Sequence, residues 1–237
     1  MIKIFQRSWL DIKFDQFSVL NHKEIANNDF YQKFYEIFYK KYANWDNLPA
    51  TYIQEKQYVS NKLVEMISKK TAKHVLSIGC GNGLIERELI QRLPDIQLTA
   101  HECIEANLIW LKSIAQITTC YGEIPACLPT KNYDFIYLSQ VDYALSDAQY
   151  IHLLKQIRSF TQAPIIFVGV PKPHTDGWAW FKYWVKCFLA KCQLYNLGQL
   201  WGYLRHYYEH AAIVEKAGYR IIGHGDLLRG VIWFEVQ

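Results

Sequence analysis

The sequence contains one glycine-rich turn that is suited to holding a ligand. Gly79, Gly81 and Gly83 alternate with other residues directly after a short apolar segment. Glycines at these positions let the backbone turn sharply and let a ligand lie against it with no Cβ atom in the way. A helix predicted to follow would add free backbone N–H groups at its N-terminus. Many turns share this spacing, so the glycines alone are weak evidence of a site.

An acidic residue in the right place strengthens this interpretation. Glu102 ends the next predicted strand, about 20 residues beyond the glycines, where a carboxylate can accept hydrogen bonds from the ribose hydroxyls of an adenosine ligand. The alternative is that Glu102 is an ordinary exposed acid at a strand end. An NAD site is less favoured, because the dinucleotide pattern would place its third glycine at Glu86.

Residues able to move a proton follow the later predicted strands. Asp142 and Tyr143 come after the fourth strand, His174 follows the fifth, and His206 precedes a late helix. Ligands of open α/β sheets bind at the carboxyl ends of the strands. We therefore predict that Asp142 orients or deprotonates a substrate beside Tyr143, with His174 or His206 as the alternative base. Each could instead be a helix cap, a solvated turn or a surface side chain.

Metal chemistry is not favoured by the sequence. His206 to His210 formally match the His-x-x-Glu-His pattern of zinc proteases. Little chain follows them to provide a third ligand and a cleft, so we expect no metal. The 6 cysteines form no Cys-x-x-Cys pair, which indicates reduced thiols rather than a disulfide scaffold or a metal cluster.

The apolar periodicity predicts alternating strands and helices from about residue 70. The predicted strands are His74–Gly79, Ile96–Glu102, 117–121, Tyr133–Ser139, Ala163–Val170, Tyr219–Gly223 and Val231–Val236. The predicted helices among them are Gly83–Leu93, Ala106–Gln116, Asp147–Phe160 and 205–217. Such alternation implies a parallel sheet with helices on both faces.

Two further segments do not fit the alternation. Residues 1–70 are predicted to form a helical cap, with helices at Phe30–Tyr42 and at about Ile53–Lys69. Residues 172–204 are rich in aromatic side chains and are predicted to be an insertion on the side where a substrate would bind. This insertion could be a lid, a partner surface or core packing, and its lysines also permit the less favoured contact with a membrane surface.

Several of these segments together resemble the class I methyltransferases that use S-adenosylmethionine (SAM). VLSIGCGNG is similar to their first motif, LTAHECIEANLIWLK to the second strand with its acid, and YDFIYLSQVDY to the fourth strand. APIIFVGV, GYRIIGHG and GVIWFEV are similar to the remaining strands. The resemblance covers about residues 70–237. It implies an α/β, Rossmann-like, seven-stranded and mostly parallel sheet with an antiparallel C-terminal strand pair.

The resemblance also implies a domain arrangement and a cofactor. The cap (1–70) would precede a SAM-binding domain (71–237) that produces S-adenosylhomocysteine (SAH). The residues implied to contact SAM are Gly79, Cys80, Gly81, Gly83, Glu102 at the ribose, Cys103, Glu123 and Ile124 near the adenine, and Ser139 and Gln140 beside the methionine portion. One departure is Ser77, which stands where the family usually has an acidic residue near the SAM amino group.

The implied activity is O-methylation of a small molecule or of a sugar or glycan hydroxyl. The alternatives are an N- or carboxyl-methyltransferase of a small metabolite and a SAM-binding partner subunit without catalysis, which the departure at Ser77 keeps open. A net charge of +4 without a run of basic residues argues against a nucleic-acid partner. We see no secretory signal and no membrane span, so we expect a cytoplasmic protein; the oligomeric state stays open.

Overall fold

The computed structural model of the chain describes residues 1–129, 132–171, 173, 177–192, 194–228 and 230–237, apart from the side chains at 179 and 180. The strands are β1 (Ile2–Gln6), β2 (Ser8–Trp9), β3 (Ile12–Lys13), β4 (His74–Ile78), β5 (Gln97–Glu102), β6 (Ile117–Tyr121), β7 (Phe135–Ser139), β8 (Ile165–Pro171), β9 (Gln199–Leu204), β10 (Ile221–Leu228) and β11 (Val231–Val236). The α-helices are α1 (Asn28–Lys41), α2 (Ala50–Lys70), α3 (Leu84–Arg92), α4 (Asp147–Phe160), α5 (Gly177–Lys191) and α6 (Tyr207–Lys216).

A seven-stranded sheet in the order β10-β11-β8-β7-β4-β5-β6 forms the centre of the molecule. The strands from β8 to β6 pair in parallel, whereas β11 is antiparallel to both β8 and β10. The predicted Rossmann-like fold with its antiparallel C-terminal pair is therefore confirmed. The strand order reverses at β4, since β5 lies on one side of it and β7 on the other.

The strands β7 and β8 are apolar and buried along most of their length, as expected where helices cover both faces of a sheet. Leu76 and Ile136 are fully buried on neighbouring strands. Phe167 of β8 and Phe234 of β11 stack with their ring centroids 4.7 Å apart. This rigid sheet holds the loops at its carboxyl edge in fixed positions.

The predicted helix at Ala106–Gln116 is wrong. The segment forms two short 3-10 turns, Glu105–Leu108 and Leu111–Ser113. The carbonyl of Asn107 accepts a hydrogen bond from the Tyr39 hydroxyl at 3.0 Å, and Leu111 packs over the glycine turn with its side chain fully buried. These tertiary contacts replace the continuous backbone hydrogen bonds of a helix.

The cap contains both predicted helices and, in addition, strand structure that the sequence analysis did not predict. β1 pairs antiparallel with β9, which lies within the predicted insertion 172–204. Trp201 of β9 is 3% exposed and stacks on Phe14 with ring centroids 5.1 Å apart, inside an aromatic cluster that also contains Phe34 of α1. Part of the insertion is therefore core packing that joins the cap to the rest of the chain.

The rest of the insertion has a different environment. Helix α5 exposes more than half of the side chains of Trp178, Phe181, Trp184 and Phe188. None of the helices in the described ranges is both long enough and apolar enough to cross a membrane.

Candidate functional site

A cavity of about 210 Å³ lies at the carboxyl ends of β4, β5 and β7, beside the point where the strand order reverses. Open α/β sheets bind their ligands at this point. Its walls come from the cap and from the sheet. They are formed by Trp9, Asn28, Tyr31, Tyr35, Tyr52, Lys56, Gly79, Cys80, Gly81, Asn82, Leu84, Ile85, Glu86, Glu102, Cys103, Ile104, Asn107, Ser139, Gln140, Val141, Tyr143 and Ala144.

The three glycines of the turn have different roles. All are left-handed, with φ of +72° at Gly79, +57° at Gly81 and +75° at Gly83. A Cβ atom at Gly79 would lie 2.6 Å from Val141 Cγ2, and one at Gly83 would lie 2.4 Å from Leu111 Cγ. At Gly81 the nearest atom is the Tyr35 hydroxyl, at 3.6 Å. Gly79 and Gly83 are therefore required by packing, and Gly81 faces the cavity.

Glu102 joins the glycine turn to the end of β5. Its Oε2 accepts the backbone N–H of Gly81 and its Oε1 accepts the backbone N–H of Cys103, both at 2.8 Å. Each carboxylate oxygen keeps a lone pair for a ligand hydroxyl, since a carboxylate offers about four acceptor positions. A contact of Glu102 with ribose stays a prediction, and this geometry is compatible with it.

A buried lysine of the cap reaches the same cavity. Lys56 of α2 is 7% exposed, its Nζ donates a hydrogen bond to Gln140 Oε1, and it stands 5.2 Å from the centroid of the Tyr52 ring. Burial lowers the pKa of Lys56, and the nearby Glu55 and Glu86 carboxylates oppose this shift. Gln140, which has a left-handed backbone, donates its amide to Glu55 and so fixes the acceptor of Lys56.

A buried carboxylate from α3 also lines the cavity. Glu86 of α3 is 1% exposed, and its Oε1 accepts hydrogen bonds from the hydroxyls of Ser77 and Tyr137, both at 2.6 Å. Its Oε2 is buried and has no hydrogen-bond partner within the described part of the chain. Burial raises the pKa of Glu86, and the Ser77 and Tyr137 hydroxyls oppose this shift.

Four tyrosines contribute to the cavity, three of them from the cap. Tyr31 and Tyr35 of α1, Tyr52 of α2 and Tyr143 after β7 all line the cavity. Burial raises the pKa of each of these phenols above its ordinary value. They therefore remain neutral near pH 7 and can donate as well as accept hydrogen bonds.

Asp142 does not line the cavity, although its neighbours Val141 and Tyr143 do. Its side chain is 2% exposed and its Oδ2 lies 3.9 Å from His210 Nε2. Its backbone carbonyl accepts a hydrogen bond from the buried Arg205 at 2.7 Å. Burial raises the pKa of Asp142 to about 6, with Arg205 opposing the shift. The structure thus places this carboxyl behind the cavity wall.

The other predicted residues fall into distinct places. Gly79, Cys80, Gly81, Glu102, Cys103, Ser139, Gln140 and Tyr143 come together around the cavity, and Gly83 supports it from outside. Glu123 is exposed and Ile124 is 5% exposed, and neither lines the cavity. His174 lies outside the described residues.

The late histidines are also separate from the cavity. The His206 ring stacks on Tyr208, with centroids 5.4 Å apart, and Glu209 pairs with the amino terminus of Met1. His210 is fully buried. Within the ranges that the structure describes, no group of three or more His, Cys, Asp or Glu side chains could hold a metal.

Sequence reasoning missed Lys56 and Glu86 as site residues. Lys56 shares the inward stripe of α2 with Val59 and Leu63, where a lysine is out of place unless it has a partner. Glu86 similarly lies beside Ile85 and Leu89 on the buried face of α3. A charged residue on an apolar helix face was the signal that could have identified both.

Comparison with known proteins adds evidence about the fold. No protein-family model matches the chain, and no curated protein matches its sequence. Among solved structures, TnmH is 20% identical with a TM-score of 0.59 over 79% of this chain and 56% of its own. The mitomycin 7-O-methyltransferase MmcR is 17% identical with a TM-score of 0.59 over 79% of this chain and 54% of its own.

A third similar structure is shorter than these. The magnesium protoporphyrin IX methyltransferase ChlM from Synechocystis PCC 6803, solved with bound SAH, is 14% identical with a TM-score of 0.62 over 88% of this chain and 96% of its own. The chain spans little more than half the length of TnmH and MmcR. These similarities show that the chain has the fold of the class I SAM-dependent methyltransferases.

Proposed function

We propose that this chain binds SAM and transfers its methyl group to a hydroxyl of a small molecule. The observation that carries the proposal is the switch-point cavity, in which the Glu102 carboxylate and the open backbone at Gly81 lie side by side. A hydroxyl-accepting carboxylate next to a glycine turn with no intruding Cβ suits an adenosine ligand. The similar structures with bound SAH or SAM support the same cofactor.

SAM supplies an electrophilic methyl group on sulfur, so the task left to the chain is to place the acceptor and exclude water. The cap residues Trp9, Tyr31 and Tyr35 line the cavity, and their rings suit a flat or ring-shaped acceptor. Tyr143 adds a neutral hydroxyl from the end of β7. We propose that Tyr143 hydrogen bonds the acceptor.

The role of Asp142 is revised in this proposal. Its carboxyl lies outside the cavity, with Oδ2 3.9 Å from His210 Nε2, and its backbone carbonyl accepts a hydrogen bond from Arg205. We propose that Asp142 positions the loop that carries Tyr143 rather than taking the acceptor's proton. Asp142→Asn should then preserve most of the turnover, whereas a loss of about 10²-fold or more with unchanged SAH affinity would support the original prediction of a general base.

The acceptor atom is proposed from the chemistry of the cavity walls. Neutral phenols and the Ser139 hydroxyl can hydrogen bond an alcohol acceptor in either direction. Among the similar structures, MmcR is a 7-O-methyltransferase, while RosA from Streptomyces davawensis is an N,N-8-amino-8-demethyl-D-riboflavin dimethyltransferase. Proteins with this fold thus methylate oxygen or nitrogen, and an amine acceptor is the alternative to the hydroxyl.

The proposal is tested in two stages. Calorimetry first measures the affinity of the purified chain for SAM and SAH. Mass spectrometry then follows methyl transfer from labelled SAM to panels of phenols, sugars and amines matched in size. We expect binding of both cofactor forms and a mass gain on hydroxyl compounds. No binding would reject the proposal, gain only on amines would change the acceptor atom, and binding without transfer to any acceptor would favour a non-catalytic SAM-binding subunit.

A further inference from the structure

The cavity contains two buried charges of opposite sign that face it from different elements. Lys56 comes from α2 and is 7% exposed, and Glu86 comes from α3 and is 1% exposed. Burying a charge is costly unless a partner of opposite charge or hydrogen bonds compensate for it. Here the compensation inside the protein is incomplete, because Glu86 Oε2 has no hydrogen-bond partner among the described residues.

Each charge has hydrogen-bond partners of its own, and the two side chains also attract each other electrostatically. Lys56 donates to Gln140 Oε1 and its Nζ lies 4.0 Å from Glu55 Oε1. Glu86 accepts the Ser77 and Tyr137 hydroxyls through the same oxygen, Oε1. The second carboxylate oxygen and the remaining ammonium protons are thus left for a ligand.

We infer that Glu86 and Lys56 form the binding site for the amino-acid end of SAM. In this site the α-ammonium of SAM donates a hydrogen bond to the Glu86 carboxylate, and the Lys56 ammonium pairs with the α-carboxylate of SAM. This inference rests on the proposed cofactor. A zwitterion supplies one charge of each sign, so it satisfies both side chains without adding net charge to a buried site.

The arrangement also accounts for the unusual serine in β4. An acidic side chain at Ser77 would bring its charge to the region directly above the strand. The Glu86 side chain extends from α3, and its Oε1 lies 2.6 Å from Ser77 Oγ. Glu86 therefore brings a negative charge to the same region. Serine is too short to fill that space, and its hydroxyl donates to the incoming carboxylate. The charge that β4 lacks is supplied by α3.

The position of Gln140 supports the assignment of Lys56. Gln140 is the first residue after β7, and its oxygen accepts from Lys56 while its amide donates to Glu55. The lysine is thereby held at the end of the cavity where β7 and α2 meet, with the face of Tyr52 at 5.2 Å. A long, flexible side chain is held in place before any ligand arrives.

The test compares two ligands that differ only in the amino-acid end. SAH contains it, and 5′-methylthioadenosine keeps the adenosine and the thioether but lacks it. Calorimetry should show that the unaltered chain binds SAH more tightly. Glu86→Gln and Lys56→Met should each weaken SAH binding by about 10- to 100-fold, the range for losing a charge-assisted hydrogen bond, and leave methylthioadenosine binding unchanged.

Two matched variants serve as controls. Glu88→Gln removes a carboxylate from the same helix and Lys69→Met removes an exposed ammonium from α2, in both cases away from the cavity. Neither should alter the affinity for either ligand. Thermal unfolding of each unliganded variant checks that it has folded.

The outcomes separate this inference from the proposed function. If the unaltered chain binds neither ligand, both fail. If it binds both ligands and Glu86→Gln weakens both equally, Glu86 only shapes the cavity and the inference alone is overturned. A double variant gives an independent check. Ser77→Asp combined with Glu86→Gln places a carboxylate on β4 in place of the one removed from α3, and the affinity for SAH should recover. A folded double variant without recovery would also overturn the assignment.

Discussion

The glycine turn permits one prediction that separates packing from ligand binding. Gly81→Ala places a methyl group on the cavity side of the turn, where the nearest protein atom is the Tyr35 hydroxyl at 3.6 Å. The protein can accept this methyl without a clash, but a ligand lying against the turn cannot. Intrusion into a well-packed contact costs about 1–3 kcal/mol, so SAH affinity should fall by about 5- to 150-fold.

The stability changes are expected to follow a different order. An alanine in the left-handed region costs about 1–2 kcal/mol of strain, which lowers the melting temperature by about 2–8 °C in a chain of this length. Gly81→Ala should show only this cost. Gly83→Ala adds the overlap with the fully buried Leu111, where the Cγ atom would be 2.4 Å away. Its total cost is then about 2–5 kcal/mol and its melting temperature falls further.

A third glycine allows the cost of the left-handed backbone to be measured separately from steric overlap and from ligand binding. Gly230 has a φ of +79°, and apart from its chain neighbours no atom of the described residues lies within 4 Å of the position that a Cβ would take. It also lies away from the cavity. Gly230→Ala should therefore match the melting temperature of Gly81→Ala while binding SAH normally. Calorimetry and thermal unfolding of the three variants complete the comparison. The reasoning is refuted if Gly81→Ala binds SAH like the parent, or if it is destabilised as much as Gly83→Ala.

Three further changes give separable results. Glu102→Gln should weaken SAH binding by about 10-fold or more in calorimetry. The carboxylate now accepts hydrogen bonds from two backbone N–H groups, and in the variant the amide NH2 would face one of these donors. The control Glu105→Gln, on the neighbouring 3-10 turn, should bind SAH like the parent. Tyr143→Phe should lower kcat by about 10-fold with SAH affinity unchanged, and an unchanged kcat in the labelled-SAM assay would remove Tyr143 from the acceptor site. Burial raises the pKa of Asp142 to about 6 and lowers the pKa of His210 to about 3. Between about pH 4 and 6, folding therefore takes up a proton at Asp142 and releases one at His210, so their effects on stability cancel. Asp142→Asn leaves the histidine effect alone, and its free energy of unfolding in urea should rise with pH more steeply than that of the parent, by about 1.4 kcal/mol per pH unit; equal slopes would contradict this.

The parts of the fold that the sequence predicts well are those with local signals. The strands β4, β7 and β8 are short apolar segments bounded by polar or glycine residues. This pattern can be recognised in each segment without information about the rest of the chain. Gly81 and Glu102 were predicted from signals of the same local kind. Gly81 lies in the turn after β4, where its φ of +57° favours glycine, and Glu102 ends β5, where its carboxylate accepts the backbone N–H of Gly81.

The parts that escaped prediction depend on distant contacts. β1 forms a strand only because β9 pairs with it across most of the chain, and no residue near β1 indicates this partner. The segment Ala106–Gln116 has a helical pattern, but Tyr39 and the glycine turn impose other contacts on it. Lys56 and Glu86 carry a local signal, a charge on an apolar helix face, but only the fold shows that both side chains reach one cavity. In each of these examples the structure depends on contacts between residues that are far apart in the sequence.

The contacts between the cap and the glycine turn argue that the cap belongs to the cofactor site as well as to the acceptor side. Trp45 Nε1 donates to the carbonyl of Asn82 at 2.8 Å, and the Asn82 amide donates to the Tyr52 hydroxyl at 3.2 Å. Arg87, on the helix after the turn, pairs with Asp46 at 2.9 Å. These bonds join the cap to the turn without a ligand present. A ligand that contacts both the cap and the glycine turn stabilises both by the same binding free energy. We therefore expect thermal unfolding to show one transition for the whole chain, and SAH to raise the midpoint temperature of that single transition.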